Sequence, residues 1–334
     1  MSGSVLFIAN PHAGSGRAGR ILPAIRTWLA VHGRDHKIVE TRERGHAECL
    51  AAAAQGHERV VVIGGDGSFQ EVVNGVLAAD RAGEAPTVGL VPAGRGNDVA
   101  RGLGLPTDPL ACLPIALGAM TRPFDVIRAR AADGRERCFA AAGGAGFDAQ
   151  VAYTMETQRR FWMRGEAGYM LATLNELRRF SNHALTITLR GESEGRNERG
   201  VRDRRHALDK RDESRELKER VVRGRFLFVA FANGPYYGGG MKICPEARTD
   251  DGLFDVCMVG DLSRFAALKE LPGIYRALHV NHPLVEITRV RSMKIEGESG
   301  ARVHLDGESF GTIPVEISAF PGALRVACST IDGL

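Results

Sequence analysis

Four short apolar runs near the start of the chain, each followed by a stretch with helical spacing, restrict its fold more than any other feature. They occupy residues 5–9 (VLFIA), 38–41 (IVET), 60–63 (VVVI) and 88–91 (VGLV), with helical stretches at 16–32, 46–55, 68–79 and 97–103. Runs so nearly free of polar residues leave no face for water. Strands of that kind belong in a parallel sheet covered by helices on both sides, since each parallel crossover needs a connection long enough to hold a helix. The pattern predicts an α/β domain over residues 1–124.

The pattern then changes. Strand-like segments dominate at 124–130, 184–189, 226–232, 254–259, 301–305, 314–320 and 323–327. Several alternate with a period of two, Val303 and Leu305 against Arg302 and His304, Val315 and Ile317 against Glu316 and Ser318. That period marks half-buried antiparallel sheet. One helical insert is expected at 166–180, with Met170, Leu174 and Leu177 on one face. A chain of 334 residues exceeds what one core usually holds. The expected organisation is an α/β domain, a mostly antiparallel β domain over 125–320, and a closing segment, 321–334, packed back on the first domain.

Charge narrows the function classes. The net charge of +4 is too small for a dedicated nucleic-acid binder, and residues 190–225 carry all of it, with 13 Lys/Arg against 9 Asp/Glu. This stretch reads as a solvated loop or exposed helix between two strands. A sharper reading is a weak, salt-sensitive contact with an anionic membrane, centred on Arg199, Arg202, Arg204 and Arg205. The start of the chain has no basic region or cleavage site and reads as a first strand. The uncharged run 226–241 has 16 residues, short of the roughly 18–20 that a membrane span needs. The six cysteines are scattered without a C-x-x-C pair, the pattern of reduced, cytosolic thiols.

Glycine-rich motifs stand at the strand ends. Asn10-Pro11-His12-Ala13-Gly14-Ser15-Gly16-Arg17 follows the first strand; its glycines admit close backbone approach, the next helix offers free N–H groups to an anion, and Arg17 adds charge. His12 reads as a loop histidine. Gly64-Gly65-Asp66-Gly67-Ser68 is the stronger signal. A capped tight turn is its plainer reading, but a carboxylate beside phosphates is unfavourable unless a cation or a proton-accepting role accounts for it. Gly94-Arg95-Gly96-Asn97-Asp98 is a third strand-to-helix junction, with Asn97 and Asp98 suited to start the helix. In the β domain, Arg248-Thr249-Asp250-Asp251-Gly252-Leu253 sets adjacent carboxylates in a turn, as either a hard-cation site or a plain acidic turn. Asp306-Gly307-Glu308 places two more carboxylates on a β-turn.

Taken in order with Asn233-Gly234-Pro235-Tyr236-Tyr237-Gly238-Gly239-Gly240, these motifs make the chain resemble, over nearly its whole length, the diacylglycerol kinase catalytic-domain superfamily of lipid kinases. The resemblance implies a phosphofructokinase-like (Rossmann-like) nucleotide domain and a β-sandwich lipid domain, with ATP in the cleft. It implies ATP contacts from Asn10, Gly14, Arg17, Thr41, Gly64, Gly65, Asp66, Gly67, Ser68, Gln70, Gly94, Arg95, Gly96 and Asn97. It further implies that Asp66 acts on a catalytic Mg²⁺ through its water shell. Asp251, with backbone oxygens of Arg248 and Leu253, would hold a structural Mg²⁺. Glu308 would be the general base, with Asp306 its rival.

The chain departs from the family at Arg95, where a threonine is usual, at Gln70, where an asparagine is common, and in the length of its charged segment. A lipid at the membrane surface is the expected partner, with no nucleic acid and with a homodimer allowed. The enzyme is expected in the cytoplasm, peripherally membrane-associated. Diacylglycerol leads as acceptor, ahead of a sphingoid base or ceramide. A soluble-substrate kinase of the NAD-kinase type is the alternative from another class; it does not combine these motifs.

Overall fold

The computed structural model describes residues 4–32, 35–79, 85–157, 175–178, 180–191, 218–297 and 300–329. Strands β1 (Val5–Ala9), β2 (His36–Glu40), β3 (Arg59–Gly64) and β4 (Thr87–Pro92) form a parallel sheet in the order β2-β1-β3-β4. Every residue of β1 and β3 is buried, as their apolar runs demand. Helices α1 (Ala13–His32), α2 (His46–Ala52), α3 (Asp66–Ala79), α4 (Asp98–Gly102) and α5 (Pro109–Leu117) form the connections. Helix α3 turns Phe69, Val72, Val73 and Val76 into the core, and each such side chain withdrawn from water contributes about 1.5–3 kcal/mol.

The remaining strands are β5 (Thr121–Ala131), β6 (Glu136–Phe139), β7 (Ala142–Gly146), β8 (His183–Arg190), β9 (Glu219–Phe226), β10 (Phe228–Ala232), β11 (Phe254–Val259), β12 (Val285–Val290), β13 (Ser292–Gly297), β14 (Arg302–Leu305), β15 (Glu308–Thr312) and β16 (Val315–Ala327). Strand β16 joins the two halves of the chain. It runs antiparallel to β5 with a register break between Phe320 and Leu324, and its Val326 pairs in parallel with Val88 of β4. The parallel sheet thereby continues through β16, β13, β8 and β9. The runs at 314–320 and 323–327 are one strand with a break at Pro321-Gly322. There proline's missing N–H is tolerated, and Gly322 takes a left-handed φ of 56°. A second, antiparallel sheet has the order β12-β11-β10-β7-β14-β15. It faces the first across a core that includes Ile127, Phe139, Ile187, Phe231, Phe254 and Ile317.

One local expectation changes. Residues 219–226, at the end of the charged stretch, are neither loop nor helix: they are an exposed edge strand paired along its length with β8. Residues 192–217, including the cluster Arg199–Arg205, lie outside the described residues, as do Met170 and Leu174 of the helical insert; Leu177 is described and buried. A further helix, α6 (Phe147–Thr157), follows β7 directly. Strand β7 is glycine-rich (AGGAG), yet it lies mid-sheet and is fully buried. Its glycines answer to packing: a Cβ on Gly143 would strike the Phe231 ring, and one on Gly144 the Asp148 carboxylate. Among the described residues no helix is long and apolar enough to cross a membrane.

Candidate active site

The glycine loops at the ends of β1, β3 and β4 are pressed together. Gly65 and Gly94 meet so closely that a Cβ on Gly65 would stand 2.9 Å from Gly94 Cα, and a Cβ on Gly14 would strike the Ala93 carbonyl. Gly14, Ser15 and Gly16 all take left-handed φ, so regular α1 begins only after them. Asn10 Nδ2 donates to Ser68 Oγ at 3.1 Å and ties the first loop to the second. Asn97 is also left-handed; its side chain caps no helix, and instead its Oδ1 accepts from Gly94 N at 2.8 Å, holding the third loop.

These loops line a cleft of about 580 Å³. Asn10, Gly14, Thr41, Gly65, Asp66, Gly67, Ser68, Gly94 and Arg95 face it, beside the N-terminus of α3, where free amides and the helix dipole favour an anion. The guanidinium that replaces the usual threonine hydroxyl donates from Arg95 Nε to Ser15 Oγ at 3.1 Å. Five expected contacts are off this wall, and one of them, Gly96, lines an adjoining cleft. Arg17 reaches the Thr107 carbonyl at 3.3 Å and is not on the cleft wall. Gln70 is buried in the core, and its Oε1 has no hydrogen-bond partner among the described residues. Gly64 serves the turn, where a Cβ would meet Ser68, and Asn97 clamps its own loop.

A second cleft, of about 520 Å³, adjoins the first, and both are lined by Arg44, Asp66, Asp306 and Glu308. Asp66 Oδ1 accepts from Val99 N at 3.0 Å, which fixes its carboxylate at the start of α4. Asp98, at 6% exposure, accepts from Gly239 N and from Arg101 Nη1, each at 2.7 Å. Burial, reinforced by the like charge of Asp66, pushes the Asp98 carboxyl up to about 6. Two neighbouring carboxylates held this way suit a divalent cation, and Mg²⁺ commonly binds through one or two carboxylates with the remaining positions filled by water and phosphate. Among the described residues no group of three or more His, Cys, Asp or Glu is arranged to hold a metal by itself.

The two carboxylates of the β14–β15 turn differ in their surroundings. Asp306 accepts from Ala140 N at 3.0 Å on Oδ2 and from Ala141 N and Ala142 N at 3.0 and 2.9 Å on Oδ1. Burial and nearby Asp66 push it up to about 7, while the three amides pull the other way. Glu308 instead pairs with Arg44 at 2.8 Å. Arg44 also holds Glu156 at 2.8 Å. His304 and Asp148 stand behind this turn. Gly307 N donates to His304 Nδ1 at 3.3 Å, so the ring proton sits on Nε2 and goes to Asp148 Oδ2 at 3.2 Å. Sequence reasoning missed Arg44, Asp148 and His304 as site residues and read Asp98 only as a helix starter. Asp98, inside Gly-x-Gly-Asn-Asp, was the one with a visible signal.

Asp251 lies apart from both clefts. Its Oδ1 accepts from Leu253 N at 3.1 Å, Arg289 Nη1 is 3.9 Å from its Oδ2, and burial raises its carboxyl. Arg248 turns to Asp250 at 3.2 Å.

Residues 4–129 match the model of the diacylglycerol kinase catalytic domain, and residues 141–328 match that of the YegS C-terminal NAD kinase beta sandwich-like domain. A diacylglycerol kinase of Mycobacterium tuberculosis (strain CDC 1551 / Oshkosh) is 32% identical over 327 residues, 97% of this chain and 94% of the relative. The chain belongs to the diacylglycerol kinase catalytic-domain family. A Pseudomonas aeruginosa protein (strain UCBPP-PA14) named "Probable lipid kinase YegS-like" is 32% identical over 300 residues, 88% of this chain and 85% of its own. A crystal structure of a diacylglycerol kinase from Bacillus anthracis str. Sterne, 21% identical, superposes with a TM-score of 0.67 over 98% of this chain and 97% of that one. A second structure from that organism reaches 0.74 at 23% identity, covering 98% and 95%. These likenesses in three dimensions carry the fold; membership in the family makes this chain a kinase.

Proposed function

We propose that the chain transfers the γ-phosphate of ATP to the hydroxyl of diacylglycerol, giving phosphatidic acid. One observation carries the reading: a polar cleft of phosphate-binding character and a second cleft share the wall Arg44, Asp66, Asp306 and Glu308, and the second adjoins an apolar cavity through Asp148 and Tyr237. That cavity is walled by Phe147, Val151, Leu227, Phe228, Met241 and Ile274 among others. An acceptor with a polar hydroxyl end and an apolar body fits such a succession. A soluble dinucleotide has no use for the apolar part.

Mg²⁺ bound with ATP would be held by Asp66, with Asp98 beside it, and supplies charge neutralisation of the phosphates. The protein's own part is positioning. The glycine loops and the α3 amides bind the phosphate chain, and Arg44 adds a cation at the junction of the clefts. The acceptor oxygen attacks phosphorus, the bond from phosphorus to the ADP oxygen breaks, and the hydroxyl proton passes to Glu308. Asp306, engaged by three backbone amides, positions the turn that carries Glu308. A base of this kind contributes about 10²–10⁴-fold. We also read Asp251, with the carbonyl oxygens of Arg248 and Leu253, as the holder of a structural Mg²⁺; a half-buried carboxylate in an acidic turn supports it. The enzyme is read as cytoplasmic and peripheral on the membrane.

The test is ATP-dependent phosphorylation of a panel of diacylglycerol, ceramide and sphingoid bases in mixed micelles, with NAD as control. Labelled phosphatidic acid is the expected product. Labelling of NAD and of no lipid would overturn the reading.

A further inference from the structure

Among the described residues ten large apolar side chains stand exposed, and six of them fall between residues 265 and 284: Phe265, Leu268, Tyr275, Leu278, Val280 and Leu284. Phe265 is the most open of all, at 88%. This stretch comprises a short helix, Arg264–Glu270, and two tight 3₁₀ turns, Leu271–Arg276 and Leu278–Asn281. The helix has no buried residue of its own. Phe265, Leu268 and Lys269 are spaced i, i+3, i+4 and so share its outer face. On its other side Ala267 and Leu271, with Ile274 and His279 of the turns, line the apolar cavity that adjoins the acceptor cleft. The stretch is thus a thin cover, apolar both toward the cavity and toward solvent.

Its charges have one dominant sign. Arg264, Lys269 and Arg276 are exposed, and the only carboxylate between residues 264 and 284 is the half-buried Glu270. An exposed apolar cluster this dense marks a contact surface. Cationic side chains interleaved with apolar ones match a lipid interface, where apolar groups enter the acyl boundary and cations meet the phosphates.

We infer that residues 264–284 form the face by which this protein docks on an anionic lipid bilayer. Phe265, Leu268 and Leu278 enter the interface, and Arg264, Lys269 and Arg276 meet headgroup phosphates. The inference rests on the lipid acceptor proposed above: the docked face is the outer wall of the cavity beside the acceptor cleft, so docking brings a membrane-dwelling acceptor next to the chemistry without withdrawing it into water. It places a membrane contact in the β domain itself, separate from the charged stretch 190–225.

The experiment uses the full chain and sucrose-loaded vesicles of phosphatidylcholine with and without phosphatidylglycerol. The triple substitution Phe265→Ser, Leu268→Ser, Leu278→Ser is expected to lower the ratio of bound to free protein on anionic vesicles by about tenfold or more. Arg264→Gln, Lys269→Gln, Arg276→Gln together should abolish the preference for anionic over neutral vesicles. Turnover on a short-chain diacylglycerol dispersed below its micelle concentration should be unchanged in both variants, as should the melting temperature. Four outcomes would overturn the inference: wild-type protein that does not sediment with anionic vesicles, unchanged binding by the apolar variant, an equal loss of turnover on the dispersed substrate, or conversion of a wild-type dimer into a monomer by the apolar variant, which would make the patch a contact between copies. A chain that binds vesicles through this face yet phosphorylates no lipid would uphold the docking surface and refute the acceptor.

Discussion

Nη2 of Arg44 stands 2.8 Å from Oε2 of Glu308, joining the loop after β2 to the β14–β15 turn across the junction of the two clefts. The Arg44 side chain is 59% exposed, and a pair so open contributes at most about 1 kcal/mol to folding. Its value lies in the site. Arg44→Gln removes a cation facing the phosphates and should lower kcat/KM for ATP by about tenfold or more, the loss of one charged hydrogen bond, while the melting temperature hardly moves. Steady-state kinetics beside a thermal melt would check both; unaltered kinetics would remove Arg44 from the site.

Asp66→Asn preserves shape and the acceptor for Val99 N but deletes the charge that holds Mg²⁺ against the phosphates. Turnover should fall by at least about 10²-fold with the fold intact. A variant that keeps a third of wild-type turnover at saturating Mg²⁺ would contradict the assignment.

Glu308 and Asp306 should separate by phenotype. Glu308→Gln is expected to lower kcat by about 10²–10⁴-fold with little change in stability. Asp306→Asn replaces an oxygen that accepts from a backbone amide with an NH₂ group, which leaves a donor facing a donor and should cost about 1–3 kcal/mol of stability. Parallel kinetics and denaturant titrations would reveal the reverse pattern if the roles are exchanged.

Asp98 makes stability depend on pH. Its folded carboxyl is pushed up to about 6, above the 3.8 of an exposed one, chiefly because burial disfavours the charge. The folded state therefore holds the extra proton between the two values, stability falls as pH rises through that window, and above it a constant penalty on the order of 2–3 kcal/mol remains. Asp98→Asn never ionises. Relative to wild type it should gain stability from about pH 4 to about pH 6 and show a flat difference above about pH 7. Urea titrations across this range that give a pH-independent difference would refute the shift.

Asp251 makes a prediction readable without activity. If it holds a structural Mg²⁺, chelation lowers the melting temperature and added Mg²⁺ restores it, by about 2.7 kcal/mol at a hundredfold excess over Kd. Asp251→Asn should erase that response. The same response in the variant would place the ion elsewhere and leave Asp251 as a turn residue hydrogen-bonded to Leu253 N.

Much of the first domain was legible in the chain itself. Apolar runs such as 60–63 can only be buried strands, and glycines at 14, 65 and 94 mark junctions where backbones approach one another. Both are local consequences of side-chain volume and hydropathy, and residues of the motifs at 64–68 and 94–98 line the polar cleft. Strand β7 was not legible, because its glycines are dictated by the Phe231 ring, distant in sequence, and by the Asp148 carboxylate, which the start of α6 folds back against them. Arg44 and Glu308 carry no pattern that links them; only the packing of the second sheet against the first sets them 2.8 Å apart. The contrast between Asp306, engaged by three amides, and Glu308, paired with an arginine, likewise exists only once the β6–β7 connection reaches the β14–β15 turn. Local sequence determines which backbone can approach a phosphate. The long-range pairing of two sheets decides which charges meet there, because Coulombic and hydrogen-bond energies depend on distances that only the folded chain defines.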